Sequence, residues 1–328
     1  MTNQDERPAI MAVHAHPDDE VFSTGITLAK YGAMGYRTIL VTCTDGAAGE
    51  VFDPTLSEAE KQQTLAELVE VRKQELAESV RVLGITDHEY LGYRDSGMMG
   101  TADNDNPESF HRAVFHDAVG RLVKLIRHYR PQVIISYDEF GSYGHPDHLQ
   151  AQRIATIAFG AAGEPRLYND KPKVSNKGEG QPEGEVQPEV KAEETPETDP
   201  TFWQPAKLYY TLRPRNLMLE MGQEMRNLGI KGWWDDPEYE TRLGRMPDRL
   251  VTTRIDGREF IEAKIAAFKA HRTQIAPDSF VFTVPPELFG KYQGYEYFAL
   301  MQHRLSQSYN LTNETEGYEE DLLTGIVQ

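Results

Sequence analysis

Two segments far apart in the chain pair histidine with aspartate around a proline, His16-Pro17-Asp18-Asp19-Glu20 and His145-Pro146-Asp147-His148. Together they hold three imidazoles and three aspartates at the tight spacing a catalytic metal site needs. Imidazole and carboxylate donors suit zinc, and three protein ligands leave a position open for water. Either segment alone has an ordinary reading, because aspartates before helices are common caps. Spacing does not fix which of these side chains hold a metal and which do other chemistry.

The two segments can share one ion only if the fold brings them together. Ile10–His14 is an apolar run ending in the first segment, and Gln132–Tyr137 is another ending shortly before the second. Both read as buried strands, with Thr38–Cys43 a further one and Glu89–Leu91 a weaker one. Helical spacing links them over Glu20–Tyr31, from Ser57 to Leu83, and over Phe110–Tyr129. Such alternation makes neighbouring parallel strands with right-handed crossovers, and ligands gather at the carboxyl edge of such a sheet. The predicted fold is therefore α/β, a Rossmann-like, mostly parallel sheet with helices on both faces.

Local signals fix several element ends. Ser57 and Glu60 form a capping box, with Leu56 as the staple residue. Leu65, Leu68, Leu76, Val80 and Leu83 make the apolar stripe that follows, and Gly84 stops it. Arg72 falls on this stripe, where a charge needs a partner. Val114, Val119, Leu122, Leu125 and Ile126 share the face of the later helix. Pro146 suits the first position of a helix, which makes His145 its N-cap.

Asn169–Thr201 has no aromatic residue and is rich in Glu, Pro, Lys and Gly, so it reads as a disordered acidic insertion. Strands are expected at Ala206–Thr211 and Leu250–Ile255, and helices around Leu217–Leu228 and Arg258–Ala270. Phe280–Val284 and Tyr297–Met301 are expected to complete the sheet or its cap. The organisation is a catalytic domain over residues 1–163, the insertion over 164–202, and a C-terminal part over 203–328 that completes the fold.

A formal charge of −18, without any Lys/Arg-rich run, argues against a nucleic-acid partner. The single cysteine, Cys43, excludes an internal disulfide framework and reads as a small buried residue on its strand. The N-terminus MTNQDERPAI is no secretory leader and no membrane span is present, so the expected compartment is the cytoplasm. His14 reads as a packed strand histidine, while His271 is the lone histidine whose surroundings matter most.

Ala15–Glu20 taken with Tyr143–His148 resembles the zinc-dependent N-acetylglucosaminyl deacetylases of the LmbE/PIG-L family, and within it the mycothiol-pathway group. The likeness continues through Val41–Thr44, Arg94–Gly97, Tyr137-Asp138 and Ala270–Gln274. It implies that His16, Asp19 and His148 bind one zinc ion (ferrous iron is the alternative) and leaves Asp18 as the general base. His145, at a helix N-terminus, would stabilise the oxyanion. Asp147 would orient and charge the His145 imidazole, and Tyr143 would assist in polarising the carbonyl. Arg72 and Asp95 would hold sugar hydroxyls, with Glu50 a further substrate-side acid. Ser23 stands where the amidase pattern has lysine and so matches the deacetylases, whereas His271–Leu288 resembles the amidases.

The expected activity is hydrolysis of the acetamide of an N-acetylglucosaminyl conjugate, foremost N-acetylglucosaminyl-inositol, to acetate and amine. Alternatives are a mycothiol S-conjugate amidase, an N-acetylglucosaminyl-malate deacetylase, or a non-catalytic, metal-stabilised carbohydrate-binding protein. A two-metal phosphoesterase is disfavoured, because one ligand set serves one ion. The expected partner is a small amino-sugar conjugate, with neither nucleic acid nor membrane, and a homo-oligomer is left open.

Overall fold

Among the described residues, the apolar runs become strands of one seven-stranded sheet with the order β3-β2-β1-β4-β5-β7-β6. The strands are β1 Ala9–His14, β2 Arg37–Thr44, β3 Asp87–Tyr93, β4 Val133–Ser136, β5 Lys207–Leu212, β6 Thr253–Asp256 and β7 Tyr295–His303. The first five run parallel, β7 runs antiparallel to β5, and β6 antiparallel to β7. The computed structural model describes residues 7–169, 202–241, 251–306 and 317–326. Most of the acidic insertion expected over 164–202 lies outside the described residues.

All six residues of β1 are buried, as expected for a parallel strand covered on both faces. Its side chains alternate between two cores. Ile10 and Ala12 join Leu40, Tyr209 and Phe268 on one face, while Met11 and Val13 join Ile39, Val41, Cys43 and Phe159 on the other. The first face is covered by the helices Gly25–Ala33, Leu68–Leu83 and Ile261–Ala270, the second by Phe115–Tyr129 and Pro146–Ala161. The C-terminal part thus extends the sheet and also supplies a helix to one of its layers.

Three expected helices are broken. The stretch Glu20–Tyr31 divides at Thr24, whose N–H and hydroxyl both donate to the Glu20 carbonyl, leaving Asp19–Ser23 and Gly25–Ala33. The stretch after Ser57 divides at Glu67. Its capping box forms, but Leu65 is exposed rather than on the buried stripe. The stretch from Phe110 begins as a 3₁₀ turn, and Val114 is exposed ahead of the helix that starts at Phe115. In the last two cases an apolar residue fits the helical period, but the chain turns before its face meets the core. Phe280–Thr283 is a short helix, and the expected strand at Leu250–Ile255 is shifted to Thr253–Asp256.

Gly25–Ala33 receives its cap from the far end of the chain. Glu296 on β7 accepts from the N–H groups of Ile26 (3.2 Å) and Thr27 (2.9 Å), and Lys264 pairs with it at 3.1 Å. A carboxylate at this end also opposes the helix dipole favourably.

Candidate active site

The parallel strands β1 and β4 are neighbours, so the segments that follow them meet at one edge of the sheet. His16 Nδ1 lies 3.2 Å from Asp19 Oδ2, His148 Nε2 lies 3.2 Å from Asp19 Oδ1, and the two ring nitrogens are 3.3 Å apart. Donors about 2.0–2.1 Å from a tetrahedral ion are separated by roughly 3.3–3.4 Å, and these spacings, measured to the two oxygens of Asp19, are of that size. A wider set, His16, His145 and His148, has its ligating atoms within 4.8 Å of one another, as does His16, Asp95 and Asp147. The Asp19 set mixes imidazole with a charge-neutralising carboxylate.

The neighbours of the triangle turn its donors inward. His16 Nε2 faces Asp147 at 3.3 Å and Asp95 at 3.4 Å, which leaves Nδ1 for a metal. His148 Nδ1 lies 3.2 Å from the Gly141 carbonyl, which leaves Nε2 for a metal. Such outer partners fix the tautomer and ring plane of metal-bound histidines. Burial would raise Asp19, yet His148 and His16 beside it hold its carboxyl well below the usual range. Burial alone would likewise lower His16, but Asp95, Asp147 and Asp19 keep it well above its ordinary value. So much carboxylate around two imidazoles suits a cation.

Tyr137 completes this shell. Its hydroxyl donates to Asp19 at 2.8 Å and accepts from the Ala15 N–H at 2.8 Å, and its ring stacks on His148 with centroids 4.2 Å apart. Sequence reasoning used Tyr137 only as part of a resemblance, since nothing local ties a strand-end tyrosine to a loop 118 residues away.

Asp18 sits beside the triangle with an unusual backbone, φ 130° and ψ −24°. For a residue with a Cβ this conformation costs on the order of 1–3 kcal/mol and persists only where surroundings over-determine it. Here Glu20 accepts from the Asp18 N–H at 3.0 Å, and Arg72 reaches the Asp18 carboxylate at 3.2 Å. Burial pushes the Asp18 carboxyl up to about 6 against the opposing pull of Arg72.

Arg72 is 3% exposed and donates to the carbonyls of Gly46 (2.9 Å) and Pro17 (2.5 Å). Its partner on the apolar stripe is therefore Asp18 and the loop backbone. Gly46, at φ +66°, is needed for this approach, because a Cβ there would lie 2.5 Å from the guanidinium. Asp95 is equally buried and spends its carboxylate on His16 and on the N–H groups of Gly97 (2.8 Å) and Ala48 (3.3 Å). Both residues thus contact the base or a ligand candidate, Arg72 at Asp18 and Asp95 at His16.

His145 caps the helix Pro146–Ala161 as expected, its Nδ1 accepting from the Asp147 N–H at 3.2 Å. That bond places the ring proton on Nε2. Asp147 departs from expectation. Its carboxylate accepts from the Ser96 N–H (2.8 Å) and hydroxyl and faces His16 rather than charging His145. Burial first, then His16 and His148, bring His145 down to about 4, so it is a neutral donor near pH 7. Tyr143 is 60% exposed at the mouth, its ring 4.9 Å from His148 and 6.2 Å from His145. Glu50 is exposed, its carbonyl accepting from Gln274 at 2.9 Å. Ser23 lines an open cleft with Phe22, Arg213, Trp233 and Tyr292.

Two histidines left aside by the site have defined surroundings. His14 is packed as expected, with Nε2 2.8 Å from the Thr24 hydroxyl. His271 is fully buried and lies 2.7 Å from Glu20 Oε1, which also accepts from Ser79 at 2.6 Å. Burial would push both Glu20 and His271 toward neutrality. Each instead favours its charged form, Glu20 lowered and His271 raised, because each is the other's counter-ion.

The profile of the PIG-L family, described as GlcNAc-PI de-N-acetylase, matches residues 11–159. A 1D-myo-inositol 2-acetamido-2-deoxy-alpha-D-glucopyranoside deacetylase of Catenulispora acidiphila is 36% identical over 324 residues, 97% of this chain and 89% of that protein. The chain belongs to the PIG-L family. A deacetylase of the same name from Thermomonospora curvata is 39% identical, covering 92% of each chain. The family places this chain among the hydrolases of amide C–N bonds, as its motifs predicted.

In fold, the chain is similar to N,N'-diacetylchitobiose deacetylase from Pyrococcus horikoshii, with a TM-score of 0.56 at 20% identity over 90% of this chain and 84% of that one. It is also similar to GalB, the 4-carboxy-2-hydroxymuconate hydratase of Pseudomonas putida KT2440, with a TM-score of 0.55 at 18% identity over 92% and 100%. A shared fold therefore does not set the reaction. Among the described residues, no helix is long and apolar enough to cross a membrane.

Proposed function

We propose that this PIG-L protein is a zinc-dependent deacetylase of N-acetylglucosaminyl-inositol that releases acetate and the free amine. The observation that carries the reading is the triangle of His16, Asp19 and His148 with Asp18 beside it, in a chain whose near-full-length relatives bear that name. A zinc ion held by these three residues would supply Lewis acidity to the acetamide carbonyl and lower the pKa of water toward neutrality.

The chain's own groups divide the remaining work. Asp18, lifted toward neutral pH by burial, takes the proton of the attacking water and returns it to the departing amine. His145, neutral and protonated on Nε2, donates to the oxyanion of the tetrahedral intermediate without a change of charge. Tyr143 closes the exposed side near the carbonyl. Arg72 and Asp95, bonded to Asp18 and His16, are the proposed partners of sugar hydroxyls, while Glu50 and Ser23 are the more accessible substrate-side positions. Such a reaction on a soluble conjugate belongs in the cytoplasm.

Zinc-loaded full-length protein should release acetate from N-acetylglucosaminyl-inositol. Asp18→Ala should keep its zinc while turnover falls by about 10²–10⁴-fold, the usual range for lost acid–base catalysis. Faster release from the malate counterpart or from a thiol S-conjugate would transfer the assignment to that substrate. Unchanged turnover in Asp18→Ala would remove Asp18 as the base.

A further inference from the structure

The strained backbone of the proposed base is held from the opposite end of the chain. Glu20 is fully buried, and its two carboxylate oxygens face different ways. Oε2 accepts from the Asp18 N–H at 3.0 Å. Oε1 accepts from Ser79 Oγ at 2.6 Å on Leu68–Leu83 and lies 2.7 Å from His271 Nε2, just after Ile261–Ala270. His271 Nδ1 has no partner among the described residues, so the bond to Glu20 is the contact that orients the ring.

We infer that Glu20 and His271, with Ser79, are positioning residues that hold Asp18 in its φ 130° conformation and so keep the base aimed at the metal triangle. The inference rests on the deacetylase reading and adds to it a link between C-terminal segment and base. A carboxylate fixed by two elements of the fold cannot follow the Asp18 N–H if that residue relaxes toward an ordinary conformation, so relaxation would cost Glu20 a bond. Without His271, Oε1 would keep only a mobile hydroxyl, and the carboxylate could turn away from Asp18. The same segment pins the neighbouring loop, with Thr273 bound to Glu75 through its N–H (2.9 Å) and hydroxyl (2.7 Å), and its carbonyl accepting from the Phe52 N–H at 2.8 Å. His271 is thus one bond in a wider dock, and its loss should leave that dock standing.

The test compares His271→Gln, which keeps an N–H donor, with His271→Met, which keeps the bulk and loses the donor. Both are made in the zinc-loaded full chain, alone and combined with Asp18→Ala, and assayed for acetate release from N-acetylglucosaminyl-inositol. His271→Met should lower kcat at least tenfold with KM within twofold and zinc content equal to wild type, and His271→Gln should recover most of the loss. In the Asp18→Ala background, His271→Met should change kcat less than twofold, because the group it positions is gone. Tyr209→Phe, remote from the site but also within a buried network, reports what destabilisation alone does to kcat.

Loss of zinc in step with kcat overturns the inference, since the pair would then serve the ligand Asp19. Equal kcat losses for Met and Gln, a loss no larger than that of Tyr209→Phe, or a full further loss in the Asp18→Ala background also overturn it. A wild type that releases no acetate, or an active Asp18→Ala, marks failure of the deacetylase reading itself.

Discussion

The two walls of the site look alike on paper and are built by different physics. The second wall is a regular helix start. His145 has an extended backbone, Pro146 occupies the first turn, and the ring nitrogen of His145 caps the helix. His148 then projects from that first turn, its position set by helical geometry. The first wall has local bonds too, from the His16 N–H to Asp19 at 2.7 Å and from the Asp18 N–H to Glu20 at 3.0 Å, but the Asp18 side chain makes no cap bond to the helix that follows. Asp18 takes a conformation its own side chain disfavours, and its neighbours are fixed by Glu20, Arg72 and Tyr137. The proposed metal site would thus combine a wall built on a regular helix start with one that leans more on distant residues.

The comparison breaks most directly at the ligands, where both walls should fail alike. His148→Ala and His16→Ala should each lose bound metal and at least about 10³-fold in acetate release, since only water remains in the missing ligand's place. Metal analysis showing full occupancy in either variant would mean that the triangle is misassigned.

Tyr137→Phe tests the dependence of the first wall on distant support. It removes the donor to Asp19 and the acceptor for Ala15, so metal affinity should fall about 10–100-fold, as is common for outer-shell partners. Competition with a chelating dye measures this. An unchanged affinity would show that the first wall holds itself.

Beside the Tyr137 and Ser96 contacts, the second wall has a tertiary requirement in the loop behind His148. Gly141 is at φ +60°, and a Cβ there would lie 2.9 Å from that of His148. Gly141→Ala should destabilise the fold by about 1–3 kcal/mol in urea unfolding, and equal stability would mean the loop moves freely. The smallest effect belongs to the helix start. Pro146→Ala should cost about 0.4–1 kcal/mol, because proline there mainly restricts the unfolded chain. A larger loss would show that this wall also leans on tertiary contacts.

Much of the second wall was legible because caps and first-turn prolines are local devices. The capping box at Ser57 and the packed state of His14 and Cys43 were legible for the same reason. Legibility failed where a contact joined distant residues. Asp147 was expected on its helix neighbour His145, but the fold brings His16 and Ser96 to its carboxylate. Arg72 needed a partner that its own stripe does not supply, and two carbonyls and Asp18 provide it. The helix breaks at Thr24 and Glu67 were missed because periodicity records apolar positions and not changes of axis.

The sequence by itself pointed to the reaction class through the family resemblance that its two strand-end motifs carry. It also determined the α/β order, since apolar runs and helical periods are read from neighbours along the chain. Only the tertiary structure decided which nitrogen of each histidine faces the triangle, what Asp95 and Asp147 support, and that His271 stands behind Glu20. Those contacts join residues as many as 251 positions apart, and the free energy that fixes them is that of the packed core, which no local pattern records.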